Sequence, residues 1–84
     1  ALYYKGNSLQ NIKQFNEAIK YYTLSFNQRT NVKTLENRAY CYFKTKQNTL
    51  ALKDLSKVIQ SDKTNTKALN IRISIYKQIK KYDL

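Results

Sequence analysis

The chain has no histidine, methionine, proline or tryptophan, and only one glycine and one cysteine in 84 residues. Without histidine, and with Cys41 as the sole thiol, there are no parts for a zinc site or a Cys–His nucleophile. A single cysteine also excludes an internal disulfide framework and fits a reducing compartment, so a cytoplasmic location is expected. No apolar run approaches the ~20 residues of a membrane-spanning helix, and no secretory leader is visible. Membrane insertion is therefore not expected. Acidic residues are scarce, and Glu17, Glu36, Asp54, Asp62 and Asp83 are scattered rather than paired, which leaves acid–base catalysis without a site. Neither an enzyme nor a cofactor is expected.

What is abundant is positive charge. Sixteen Lys+Arg against five Asp+Glu leave a formal net charge of +11. The bias favours acidic partners: a carboxylate-rich peptide, a nucleic acid or an anionic membrane surface. The joint enrichment in Lys, Asn, Ile and Tyr equally fits the imprint of an AT-rich coding sequence, which raises Lys wherever Lys is tolerated. Base stacking on the tyrosines is disfavoured, because Tyr22 and Tyr42 belong to the apolar register described next. A nucleic-acid partner is not expected.

The chain repeats itself at about 33 to 34 residues, the mark of stacked helix–turn–helix units. Leu2 recurs as Leu35 and Leu69, Gly6 as Ala39, Ala18 as Ala51 and Tyr22 as Leu55. Apolar residues at steps of three and four predict five helices. The first lies near Ala1–Ile12, with Leu2, Leu9 and Ile12 on one side. The second, near Asn16–Asn27, carries Ala18, Ile19, Tyr22 and Phe26, with Asn16 placed to cap it. The third, near Val32–Thr45, buries Leu35, Ala39 and Tyr42; the fourth, near Thr49–Gln60, buries Ala51, Leu52, Leu55, Val58 and Ile59. The fifth, near Thr66–Ile79, offers Leu69, Ile73, Tyr76 and Ile79. Its β-branched run Ile71–Ile75 suits a strand locally, but the repeat register assigns it to a helix.

Within the units, tight turns begin in register at Lys13, Lys46 and Lys80. A helix that ends so tightly needs a left-handed residue, where glycine is easiest to place. Lysine there costs about 1 kcal/mol. The connections between units, "NQRTN" and "QSDKTN", are short and polar and force antiparallel neighbours. The absence of an initiating Met, and a third unit that stops before a second helix, predict a piece of a longer array.

Leu2, Gly6, Asn7, Leu9, Phe15, Ala18, Tyr22 and Ser25, with the strings "YKGNSL", "FNEAIKYYTLS" and "ENRAYCY", resemble the tetratricopeptide repeat (TPR) family along the whole chain. The resemblance implies an all-α, right-handed α-solenoid of antiparallel helix pairs, about two and a half TPR units. Unit one would span 1–31, unit two 32–65 and a partial unit three 66–84. Small residues (Gly6, Ala18, Ala39, Ala51) would let helix axes approach closely, and the first helices of successive units would line a concave groove. Tyr3, Asn7, Gln10 and Asn11, then Lys33, Asn37, Tyr40 and Lys44, then Lys67, Asn70, Ser74 and Lys77, should face it.

Within the family the chain is most similar to co-chaperone repeats, which grip the terminal carboxylate of a Glu-Glu-Val-Asp chaperone tail with Asn, Lys and Arg side chains. Asn7 and Asn37 match the two asparagines of that carboxylate clamp, and Lys67 matches the lysine that opens the third unit. Lys44 and Lys33 would support them. Two positions depart from the pattern: Tyr3 stands where a lysine is expected, and Ile71 where an arginine is expected. Arg72 is one step round the helix, about 100° away. Asn amides donate and Lys adds charge, so the set suits a carboxylate; each charge-assisted bond contributes roughly 1.5–3 kcal/mol. The same asparagines could instead serve the fold by bonding backbone where helices pack. The function implied is a non-enzymatic protein–protein interaction module that holds an acidic C-terminal peptide, as a co-chaperone or assembly adaptor. The alternative is a scaffold subunit of a large complex whose groove holds another protein's helix.

Overall fold

The computed structural model describes residues 1–82; Asp83 and Leu84, the end of the expected partial unit, lie outside them. Five helices follow one another: α1 (Leu2–Asn11), α2 (Phe15–Gln28), α3 (Val32–Lys44), α4 (Asn48–Ser61) and α5 (Thr66–Tyr82). Each packs on its neighbours in sequence, and α3 also touches both α1 and α5. The first helices of successive pairs therefore lie side by side, in a flat body of 42 × 27 × 17 Å. This is an all-α, TPR-like stack of antiparallel helix pairs, and the Ile71–Ile75 run is helical as the register requires.

The turns follow the sequence twice and depart from it once. Lys13 and Lys46 stand at φ 63° and 62°, in the left-handed region. The Gln14 N–H donates back to Leu9 O at 2.9 Å and the Gln47 N–H to Tyr42 O at 2.8 Å, closing both helices with the same C-terminal motif. Lys80, the third residue of that register, instead lies inside α5, which runs on to Tyr82. The left-handed lysine is tolerated where the next helix packs back on its predecessor. No such helix follows Lys80 among the described residues, and continued helix is the lower-energy choice.

Helix starts show the same local logic. Asn31 Oδ1 accepts from the Lys33 N–H at 2.9 Å to cap α3, and Asn65 Oδ1 accepts from the Ala68 N–H at 2.9 Å to cap α5. The expected cap at Asn16 is not made. Helix α2 begins one residue earlier, at Phe15, with Gln14 at its N-cap and Asn16 exposed in the first turn. Phe15 packs against the buried cluster of Ala18, Tyr22 and Cys41, and that packing draws the helix start forward.

Two clusters form the core. The first gathers Ala18 and Tyr22 of α2 with Cys41 of α3. The second joins Leu35 and Ala39 of α3, Ala51, Leu55 and Val58 of α4, and Ala68, Ile71 and Ile75 of α5. Each large side chain here contributes about 1.5–3 kcal/mol by leaving water. In α1, Leu9 packs on the first cluster, but Ile12 is exposed, because it sits at the C-cap where the chain turns away.

Helix α5 corrects the expected core. Ile73 and Tyr76 are 51% and 55% exposed, whereas Ala68, Ile71 and Ile75 are buried. The stripe Leu69–Ile73–Tyr76 repeats Leu35–Ala39–Tyr42, the side that α3 turns to α4. Among the described residues no helix follows α5 to cover that side. The buried stripe of α5 is the other one, facing α3 and α4.

Candidate functional site

Asn7 is placed by its neighbour. A Cβ on Gly6 would lie 2.6 Å from Tyr22 Cε1 and 2.7 Å from Cδ1, so the Tyr22 ring lies directly on the glycine. From there the Tyr22 hydroxyl reaches Asn7 Oδ1 at 2.5 Å and Gln10 Oε1 at 2.8 Å. Its one hydrogen serves one of them at a time. Burial first, then the neighbouring Cys41 and Tyr3, holds Tyr22 far above the usual range for a phenol, so this donor stays protonated. With Oδ1 engaged, the Nδ2 end of Asn7 has no partner among the described residues.

Asn37 lies on α3, the first helix of the next pair, and is held at both ends. Its Nδ2 donates to the Tyr3 hydroxyl of α1 at 2.9 Å, and its Oδ1 accepts from Lys67 Nζ of α5 at 2.8 Å. Tyr3, Asn37 and Lys67 thus form a hydrogen-bonded row across all three first helices. The row links two clefts. One, of about 680 Å³, is lined by Tyr3, Asn7, Lys33 and the α2–α3 connection. The other, of about 300 Å³, is lined by Gln10, Asn11, Lys13, Phe15, Tyr40 and Lys67. Neither cleft has a carboxylate on its walls.

Of the residues expected from sequence, Asn37 and Lys67 are brought into contact, and Asn7 and Lys33 share a cleft with Tyr3. Lys44 lines neither cleft. Its ammonium lies over the Tyr40 ring, 5.6 Å from the centroid, with Phe43 at 6.0 Å. Ile71, where the clamp pattern calls for an arginine, is buried in the core. Three features were not expected. Tyr3 enters the row as a hydrogen-bonding partner of Asn37, Lys13 lines the second cleft beside its role in the turn, and Phe15 and Tyr40 meet edge-on at 6.1 Å on its floor. The signal for Lys13 was present, since the turn register puts it two residues beyond Asn11, which was expected to face the groove.

Behind the groove lies a polar feature of the fold. Arg38 Nε and Nη2 donate to Asp54 Oδ2 and Oδ1, both at 2.8 Å, and Nη1 donates to Thr23 Oγ1 at 3.2 Å. The guanidinium carbon stands 5.5 Å from the ring centroids of both Phe26 and Tyr42. This bidentate pair holds Arg38 charged and ties α3 to both α2 and α4. Asp54 is thus structural. Cys41 is buried too, with Sγ 3.7 Å from Gln10 Oε1. Burial pushes its thiol up to about 12, against the opposing charge of Lys67, so it is a packing residue and no nucleophile. Among the described residues, no group of three His, Cys, Asp or Glu side chains could hold a metal, and no helix is long and apolar enough to cross a membrane.

No protein-family model matches the chain, and no solved structure matches it. Two curated proteins are similar to it. Sperm-associated antigen 1 of Homo sapiens is 36% identical over 73 residues, covering 87% of this chain and 8% of that protein. Hsp70-Hsp90 organizing protein 3 of Arabidopsis thaliana is 34% identical over 80 residues, covering 94% of this chain and 14% of that protein. The chain therefore spans only a small part of the relatives it matches. Both matches extend over most of the chain rather than one short motif.

Proposed function

We propose that the chain is a non-enzymatic docking module that holds a short acidic peptide, the C-terminal tail of a chaperone, in the groove of α1, α3 and α5. The observation that carries this reading is the Tyr3–Asn37–Lys67 row, with Asn7 one turn along α1 from Tyr3. The wall it forms offers amide, hydroxyl and ammonium hydrogens with no carboxylate to compete for them. A carboxylate, which only accepts, suits such a wall. The resemblance to Hsp70-Hsp90 organizing protein 3, whose name couples two chaperones, supports the choice of partner. The expected place of action is the cytoplasm, and no cofactor is required.

Calorimetric titration with a Glu-Glu-Val-Asp peptide tests this. Micromolar binding that weakens with salt is expected, and Lys67→Ala should reduce it roughly 10- to 100-fold, the worth of one charge-assisted bond. Absence of binding at millimolar peptide overturns the reading. The aromatic floor of Phe15 and Tyr40 favours the second reading, a scaffold whose groove holds another protein's helix. That reading predicts tight, salt-insensitive binding of an amphipathic helix instead.

A further inference from the structure

Hydrogen-bond direction along the row follows from chemistry at one end. An ammonium only donates, so the Asn37 atom 2.8 Å from Lys67 Nζ is the carbonyl oxygen. The other end of that amide, Nδ2, then faces the Tyr3 hydroxyl at 2.9 Å. An amide nitrogen also only donates, so the Tyr3 oxygen accepts. The single hydroxyl hydrogen of Tyr3 is left over. Turning the Asn37 amide over would set its NH2 against the ammonium, so the charge at Lys67 holds the whole row in one orientation.

The Tyr3 hydroxyl is fixed in place as well as in polarity. Its ring packs on the buried cluster of Ala18, Tyr22 and Cys41, tilted against Tyr22 at 6.0 Å and edge-on to Tyr4 at 5.5 Å. Only the O–H torsion remains free. Tyr3 also lines the cleft shared with Asn7 and Lys33. A donor with a spare hydrogen, rigidly held beside an open cleft, is preorganised for an acceptor.

We propose that Tyr3 is a specificity-determining residue of this groove, donating its hydroxyl hydrogen to one carboxylate oxygen of the bound acidic segment. The inference rests on the acidic-peptide reading above. It assigns the carboxylate a neutral donor, Tyr3, linked through Asn37 to the single cation of the row, Lys67. A neutral donor is not screened by salt, so affinity falls less steeply with ionic strength than in a site with a second cation there.

The test titrates the full chain and two variants with the Glu-Glu-Val-Asp peptide at low and high salt, with thermal melting alongside. Tyr3→Phe keeps the ring and its packing. It should weaken binding roughly 10- to 100-fold, the worth of one hydrogen bond to a carboxylate, and leave the salt dependence nearly unchanged. Tyr3→Lys should bind at least as tightly as the wild type at low salt and lose affinity more steeply as salt rises. Equal affinity of the wild type and Tyr3→Phe overturns the assignment while leaving the acidic-peptide reading intact. No binding by the wild type overturns both. Should Tyr3→Phe melt early, the lysine variant decides, and an unchanged salt slope there also overturns the assignment.

Discussion

Helices α3 and α5 occupy the same place in successive repeats, but α3 is buried on two sides and α5 on one. In α3, Cys41 packs back on Ala18 and Tyr22, while Leu35 and Ala39 pack forward on Ala51 and Leu55. In α5, Ala68, Ile71 and Ile75 pack back, and the forward residues Ile73 and Tyr76 stand in solvent. Arg38 is paired with Asp54 of the helix that follows it; its counterpart Arg72 has no ion pair among the described residues. The contrast teaches that a residue's place in the repeat encodes which neighbour it would touch, not whether it is buried. Burial depends on the neighbour being there.

Five tests, made of eight substitutions, exploit that contrast, beginning with the largest expected effect. Asp54→Asn leaves Arg38 with half its pairing in a largely buried site and should cost about 3–5 kcal/mol in urea unfolding. Arg72→Met, which removes the α5 counterpart of Arg38, should change stability by roughly 0.5 kcal/mol or less, because no ion pair is lost among the described residues. If the two cost the same, the two-sided and one-sided distinction fails. Gly6→Ala comes next. The added methyl would press on the Tyr22 ring, and roughly 1–3 kcal/mol should be lost, visible as a lower Tm.

The third contrast sets Cys41 against Ile75, which holds the same place in α5. The ordinary thiol value of 9.0 rises to about 12 on burial, so between these values the folded chain holds a proton that the unfolded chain has released. Stability from this group is complete below pH 9 and is lost as pH climbs towards 12, by at most about 1.4 kcal/mol per pH unit. Tyr22 acts in the same direction. Melting curves across the alkaline range should therefore fall, and Cys41→Ala should make the fall shallower.

The fourth compares turns. Lys46→Gly should gain about 0.5–1 kcal/mol, because the left-handed backbone at φ 62° is easier for glycine. Lys80→Gly should instead lose roughly a few tenths of a kcal/mol, since Lys80 is helical. Opposite signs in chemical denaturation support the two-plus-one pattern of turns; equal signs break it. In the last pair, Ile73→Ser should change stability by about 0.5 kcal/mol or less, whereas Ala39→Ser at the same repeat position puts a hydroxyl into the core and should cost about 1–3 kcal/mol.

Much of this was legible without coordinates because it depends on near neighbours in sequence. The stripe of Ala18, Tyr22 and Phe26, the left-handed lysines at 13 and 46, and Gly6 as a close-approach site all follow from helix periodicity and local chemistry. The repeat phase also put Asn7, Asn37 and Lys67 on one groove. It read Tyr3 as a departure from a pattern, because a pattern compares residue types position by position. It could not show that a Tyr3 hydroxyl would meet an amide 34 residues away.

By itself, then, the sequence determined the helices and most of their turns, since these follow from a 3.6-residue period and single-residue backbone preferences. The tertiary structure decided which apolar stripe of α5 is buried, where Arg38 finds its carboxylate, and how Lys67, Asn37 and Tyr3 share their hydrogens. Those are contacts between helices, and their energies depend on distance and direction in space rather than on separation along the chain.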